Sequence, residues 1–178
     1  MSVGSSVSRI VDRPSRWGTN FDYLFGNPYA PAYTDLATPL STDSDVEAVT
    51  TLNLGSLAID GRDVSTIGFR PVKGGLQPTV IRGRAPTTAD ELGIGGEVAR
   101  RFGLHVGDSV DVSGTSGEPK TVEVVGIVVT PDSAGNGAAM TFDGFQALNP
   151  SATENLALVD LRDGAPAGTV DRLSDEIF

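Results

Sequence analysis

His105 is the only histidine in this 178-residue chain, and there is no cysteine. A zinc site would therefore need carboxylates to complete it, and neither a thiolate site nor a disulfide framework is possible. His105 reads as a surface or turn residue. Asp43, Asp45 and Glu47 begin like a calcium loop, but Ala48 stands where the sharp turn needs glycine and Leu54 where a bidentate glutamate should close the site. Asp108 and Asp111 resemble a carboxylate pair, yet an offset of three along an extended segment points them to opposite faces. The nearest approach to a nucleophile elbow is Pro131-Asp132-Ser133-Ala134-Gly135, which has proline where the first glycine should stand, and a serine-histidine triad could use only His105. Gly93-Ile94-Gly95-Gly96 precedes a helix and offers either an anion-accepting nest or a plain strand-to-helix turn. No Walker A lysine motif occurs, so ATP is not expected to bind here. No catalytic, cofactor-binding or metal-binding residue is assigned, and a non-enzyme is expected.

Aromatic side chains give the one compositional anomaly. Six of the eleven, Trp17, Phe21, Tyr23, Phe25, Tyr29 and Tyr33, lie between positions 17 and 33, among Gly18, Gly26, Asn27, Pro28 and Pro31. Phe21, Tyr23 and Phe25 alternate, placing them on one face of a strand as core. Trp17, Tyr29 and Tyr33 sit in irregular sequence and are either core or the lining of a groove for an apolar cargo or a partner, because aromatics give large contact area at low entropic cost.

Positioning these residues requires a series of short elements. Arg9 to Val11 and Phe21 to Phe25 read as strands, Pro31 to Leu36 as a short helix that Pro39 ends, and Val46 to Leu52 as a strand. Ser56 to Ile59 and Val64 to Phe69 flank Asp60-Gly61-Arg62, a hairpin signal. Glu97 to Phe102 has helical composition, with Val98, Ala99 and Phe102 on one face; Gly103 should stop it in the left-handed conformation and Leu104 should fold back as the cap contact. Arg100 and Arg101 then complement the negative end of the helix dipole, a structural reason for two adjacent arginines. Val106-Gly107-Asp108 is a turn, and Ser109 to Val112 pairs with Thr121 to Thr130 as a hairpin in which Gly126 marks a bulge or a close backbone approach. A helix begins near Asp143 after the glycine- and alanine-rich Ala134 to Ala139. Leu156 to Leu161 forms a strand, and Thr169 caps a last helix with Val170, Leu173 and Ile177 on one face.

Length, charge and hydropathy bound the class. The chain is long enough to bury roughly 70% of its unfolded surface around one core. The net charge of −10 disfavours a nucleic-acid partner, which needs a basic surface, and a surface laid flat on anionic lipid. The longest apolar run, Val124 to Val129, falls far short of the about 20 residues that cross a bilayer. Met1-Ser2-Val3-Gly4-Ser5-Ser6 has neither the basic start nor the apolar stretch of a signal peptide.

A family pattern threads these elements. Gly83-Arg84-Ala85-Pro86, Asp90-Glu91, Gly95, Ala99, Gly103, Gly107-Asp108, Val110, Val112, Val125-Gly126-Ile127 and Pro131 occur in order. So arranged, the chain resembles the extracytoplasmic domain of bacterial FtsX-like and MacB-like ABC transporter permeases. Looser likeness extends to Arg16-Trp17-Gly18-Thr19-Asn20-Phe21-Asp22 and to Asp45-Val46-Glu47-Ala48-Val49. The resemblance implies an α+β fold in which residues 1–55 plus 151–178 form a membrane-proximal subdomain and residues 56–150 an inserted β-rich subdomain. It implies flanking transmembrane helices outside this sequence, a bacterial plasma-membrane location with this piece on the extracytoplasmic side, and no cofactor.

The function implied is mechanical. A cytoplasmic ATP-binding subunit would bring two permease chains together through the transmembrane part, and the motion would export a lipid, lipoprotein, peptide or drug, or activate an outer partner such as a cell-wall hydrolase. A stand-alone extracytoplasmic binding module for a small ligand or a protein is the alternative, and apolar spans on both sides of the piece would discriminate the two. A hydrolase using Asp or Glu residues is a third reading, for which no constellation is present.

Overall fold

The computed structural model describes residues 21–28, 35–130 and 135–178. Nine strands and four helices alternate through them: β1 (Tyr23–Gly26), α1 (Ala37–Thr42), β2 (Val46–Ile59), β3 (Arg62–Lys73), β4 (Thr79–Gly83), β5 (Glu91–Ile94), α2 (Gly96–Phe102), β6 (Ser109–Ser113), β7 (Lys120–Val129), β8 (Ala138–Thr141), α3 (Phe142–Leu148), β9 (Leu156–Leu161) and α4 (Thr169–Ile177). The fold is α+β, as expected. The strands run in the order β1-β9-β2-β3-β8-β5-β7-β4, and β6 joins β7 to β2.

That last pairing closes a ring. β2 uses one side for β3 and divides the other, giving residues 46–52 to β9 and Ala58 and Ile59 to β6. β7 likewise divides one side between β6 and β4 while β5 takes the other. Six strands, β2-β3-β8-β5-β7-β6, thus surround one apolar cluster to which they contribute alternate side chains, among them Leu57, Val64, Leu92, Val110, Val124 and Met140. Alternation of this kind is what a half-buried strand requires. Val98 of α2 with Phe145 and Leu148 of α3 complete the filling.

Two further clusters lie outside the ring. Phe25, Leu40, Val46, Val49, Ala157, Val159 and Leu173 form one beneath α1 and α4. The other brings Phe21, Ala48, Leu52, Leu156 and Leu158 against Ile67, Phe69, Leu76, Val128 and Ala139, so it fastens the β1-β9-β2 part of the sheet to the ring.

Several local expectations hold. α2 stops at Gly103, whose φ is 66°, and the amides of Gly103 and Leu104 both donate to the Ala99 carbonyl. Leu104 folds back onto the ring cluster as a C-terminal cap requires. Asp60 and Gly61, with φ of 49° and 71°, make a two-residue hairpin turn whose twist matches the flanking strands. β6 and β7 pair antiparallel, and the pairing of β5 with β7 shifts register where Gly93 meets Gly126.

Others are corrected. The segments Val46 to Leu52 and Ser56 to Ile59 are one strand of 14 residues, because β3 pairs along it without a break from Thr50 to Ile59. The first helix lies at Ala37–Thr42, with Pro39 inside its first turn, where the missing N–H has no intrahelical acceptor to lose. Residues 31–34 and the strand expected at Arg9 to Val11 lie outside the described residues. Phe21 precedes β1 and joins a different cluster from Tyr23 and Phe25. Part of the glycine- and alanine-rich block is a buried strand, β8, which pairs parallel to β3. Thr169 does not cap α4: Gly168, at φ 95°, holds that position, and Thr169 is the first buried residue of the helix.

Candidate functional surfaces

Trp17, Tyr29 and Tyr33, the sequence candidates for a cargo or partner groove, lie outside the described residues. Four other features can be built from the side chains upward.

The first is the turn that carries Gly83-Arg84-Ala85-Pro86 and Asp90-Glu91. Gly83 ends β4 at φ 77°, and Arg84 lays its guanidinium across Glu91, Nη1 to Oε2 at 2.7 Å and Nη2 to Oε1 at 2.6 Å. The same carboxylate accepts from the amides of Thr87 and Thr88 at 2.7 and 3.2 Å and from the Thr87 hydroxyl. Arg84 foremost, then these backbone amides, hold Glu91 well below the usual carboxylate range despite its burial. Neighbouring Asp90 pairs with Lys120 at 2.8 Å, and Lys120 also donates to the Ala89 carbonyl. The motif's charged residues are thus spent on fixing the turn between β4 and β5.

The second is the sheet edge. β4 is exposed along most of its length, with Val80 and Ile81 uncovered. Its pairing with β7 slips between Val80 and Arg82, leaving Ile81 unpaired in a bulge. Bulges are one means by which a protein discourages pairing at an open edge.

A row of carboxylates crosses three neighbouring strands. Asp160 of β9 lies opposite Ala48 of β2, and Glu47 occupies the bulge beside that position. On the other side Tyr23 pairs with Val159, which sets Asp22 next to Asp160; the Asp22 amide donates to the Val159 carbonyl, and the Asp22 carboxylate accepts from the Leu161 amide at 3.1 Å. Burial first, then the hydrogen bond and charge of Asp22 and the charges of Glu47 and Asp163, push Asp160 up to about 6 from the ordinary 3.8. A carboxylate with a raised folded-state pKa gives stability that is complete below its unfolded value and lost as pH rises through the folded one. Asp160→Asn is therefore expected to raise the melting temperature at pH 7, with the difference from wild type closing as the pH falls to about 4. Thermal melts at several pH values read this, and a pH-independent difference would contradict it.

The fourth feature is a clasp at the start of β2. Asp45 Oδ1 accepts from Arg162 Nε and Nη2 at 3.0 and 2.6 Å, and Asp43 Oδ2 accepts from Arg172 Nη1 at 2.6 Å. Arg172 Nη2 and the Thr169 hydroxyl each approach Asp45 Oδ2 at 3.4 Å, while Lys73 donates to the Asp43 carbonyl. Arg172 chiefly holds Asp43 below its ordinary value.

His105, Asp108 and Asp111, which the sequence offers for chemistry, each have a local structural partner. The His105 side chain is 79% exposed, with Nδ1 3.5 Å from Asp108 Oδ2. Asp108 receives the His105 amide and Asp111 the Thr121 hydroxyl, so one carboxylate serves the turn before β6 and the other the β6–β7 strand pair. At the start of α2, the Gly95 and Glu97 amides already donate to the carbonyls of Gly137 and Gly135. That arrangement is the strand-to-helix turn, with these two donors committed. Among the described residues no three carboxylates or histidines gather as a metal site, and no helix is long and apolar enough to cross a membrane.

Neither the acidic row nor the clasp was legible beforehand. In sequence Asp43 and Asp45 begin like a calcium loop, whereas their arginine partners lie more than a hundred positions away. Only strand order brings Asp22, Glu47 and Asp160 together.

No protein-family model matches the chain, and no curated protein does. Solved structures do. The periplasmic region of MacB from Actinobacillus actinomycetemcomitans superposes with a TM-score of 0.62 at 15% identity, covering 90% of this chain and 83% of that one. The extracellular domain of the ABC-type transporter YknZ from Gram-positive bacteria gives 0.59 at 18% identity, covering 84% and 86%. The chain has the fold of these periplasmic and extracellular transporter domains.

Proposed function

We propose that this chain is the extracytoplasmic domain of an ABC transporter permease of FtsX/MacB type. It passes motion, driven by a cytoplasmic ATP-binding subunit, to the outside, where that motion exports a lipid, lipoprotein, peptide or drug or activates an outer partner. One observation carries the reading beyond fold likeness. The first and last described elements lie together: Asp22, just before β1, is hydrogen-bonded to Val159 and Leu161 of β9, and β1 and α4 share one apolar cluster. A domain set between two neighbouring membrane helices needs this juxtaposition. The six-strand ring, whose buried residues fall between Leu57 and Leu148, is then the inserted part, and the layer of β1, β9, α1 and α4 the membrane-proximal part.

The absence of cysteine makes the test direct. In the full-length parent, freed of any cysteine elsewhere, exposed Ser116→Cys is expected to react with a membrane-impermeant maleimide in intact cells. Reaction only after lysis would overturn the extracytoplasmic placement. With the ATP-binding subunit present, spin labels at the same position should report an ATP-dependent change in distance between two permease copies. A constant distance during ATP turnover would remove the mechanical part of the reading.

A further inference from the structure

We propose that α4 is a latch, held closed by Asp43 and Asp45 and hinged on the glycine-bracketed segment that leads into it. Its apolar hold is small. Of its nine residues only Thr169 and Leu173 are buried, with Val170 and Ile177 partly so. A helix of this length has little stability of its own and depends on what it docks against.

Its polar anchors converge on the two carboxylates. Arg172 reaches Asp43 at 2.6 Å and Asp45 at 3.4 Å, Thr169 reaches Asp45, and Arg162, at the start of the connecting segment, holds the opposite oxygen of Asp45. The Arg162 amide donates to the Asp45 carbonyl as well. The pairs are asymmetric: the Asp43 and Asp45 side chains are 12% and 13% exposed, the Arg172 and Arg162 side chains 50% and 47%. Opening the latch returns the half-exposed Arg172 guanidinium to water and uncovers the face of the carboxylates that the closed helix shelters, while Arg162, before the hinge, stays on Asp45.

The connection is built to turn. Gly164 and Gly168, at φ 77° and 95°, have nothing within 4 Å of where a side chain would begin, and residues 166–168 are exposed. Hinges are a few positions of this kind that absorb a change in backbone angles while the bodies on each side stay intact. Here the body on the far side is β9 and the sheet it joins, and the ring beyond it has a cluster that contains no residue of α4. The latch stands on this geometry alone, and the permease reading supplies only what would pull on it.

Amide hydrogen exchange on the full 178-residue chain tests the proposal. In Arg172→Gln, and separately in Asp43→Asn/Asp45→Asn, protection of the α4 amides is expected to fall at least about tenfold while Leu92 and Val124 in the ring exchange as in wild type. Unchanged protection of α4 in Arg172→Gln would show that apolar contacts alone hold the helix and would overturn the latch. So would a matching loss in the ring in either variant, because α4 and the ring would then open as one unit. Neither outcome bears on where the domain resides or what it moves.

Discussion

Alanine at Gly126 is expected to destabilise the chain by about 3 kcal/mol, at the upper end of what overpacking costs. A Cβ at that position would sit 2.1 Å from the Arg84 carbonyl oxygen, 3.0 Å from its carbon and 3.2 Å from the Arg82 oxygen. These are backbone atoms and cannot rotate away. Gly126 lies opposite Gly83 of β4 on one side and Gly93 of β5 on the other, so relief on one side is blocked by the other. For a chain of this size the melting temperature should drop by about 6–12 °C, and urea unfolding should show a lower midpoint with an unchanged slope. Gly96→Ala is the control: nothing lies within 4 Å of its new methyl group, at the first position of α2. That change should stabilise by about 0.5 kcal/mol through the unfolded state. Equal effects at the two positions would mean that β4 is not pressed against β7 as described.

Phe145→Ala should cost about 4 kcal/mol, within the range for truncating a buried aromatic. Phe145 is 2% exposed, and its ring occupies space left by two missing side chains. A Cβ on Gly55 would come 2.7 Å from Phe145 Cζ, and one on Gly68 2.6 Å from Phe145 Cβ. This complementarity makes a coupling testable. Gly55→Ala alone meets only the tip of the ring, so it should be destabilising in the wild type and nearly neutral once the ring is gone. The double variant should exceed the additive expectation by at least about 1 kcal/mol, a coupling typical of residues in contact. Strict additivity in denaturant titrations would show that the ring does not lie between β2 and β3.

Where an element's cause was local, it could be read in advance. Gly103 ends α2 because a left-handed residue is needed there, Asp60-Gly61 turns the hairpin because both positions take positive φ, and Val110 and Val112 face inward because strands alternate. Where the cause was a neighbour distant in the chain, reading failed. Pro39 signals a helix end by composition, yet a first-turn position tolerates it. Ala138 to Thr141, which begins inside the glycine- and alanine-rich block, carries no strand signal of its own and becomes a strand because β3 and β5 hydrogen-bond it on both sides. The motif around Gly83, Arg84 and Glu91 was legible as a pattern; that its charges are used up within one turn was not.

Residue type and spacing alone determined the short glycine-punctuated elements, the lack of cysteine and the acidic balance, and the ordered motif that they carry pointed to the α+β class. These depend on backbone conformation and composition, which act over a few residues or over the chain as a whole. The closing of six strands into a ring, the row of Asp22, Glu47 and Asp160, and the grip of Asp43 and Asp45 on α4 were decided by tertiary structure. Each depends on which strands become neighbours, and that choice follows from burying three apolar clusters at once, which no local stretch of sequence encodes.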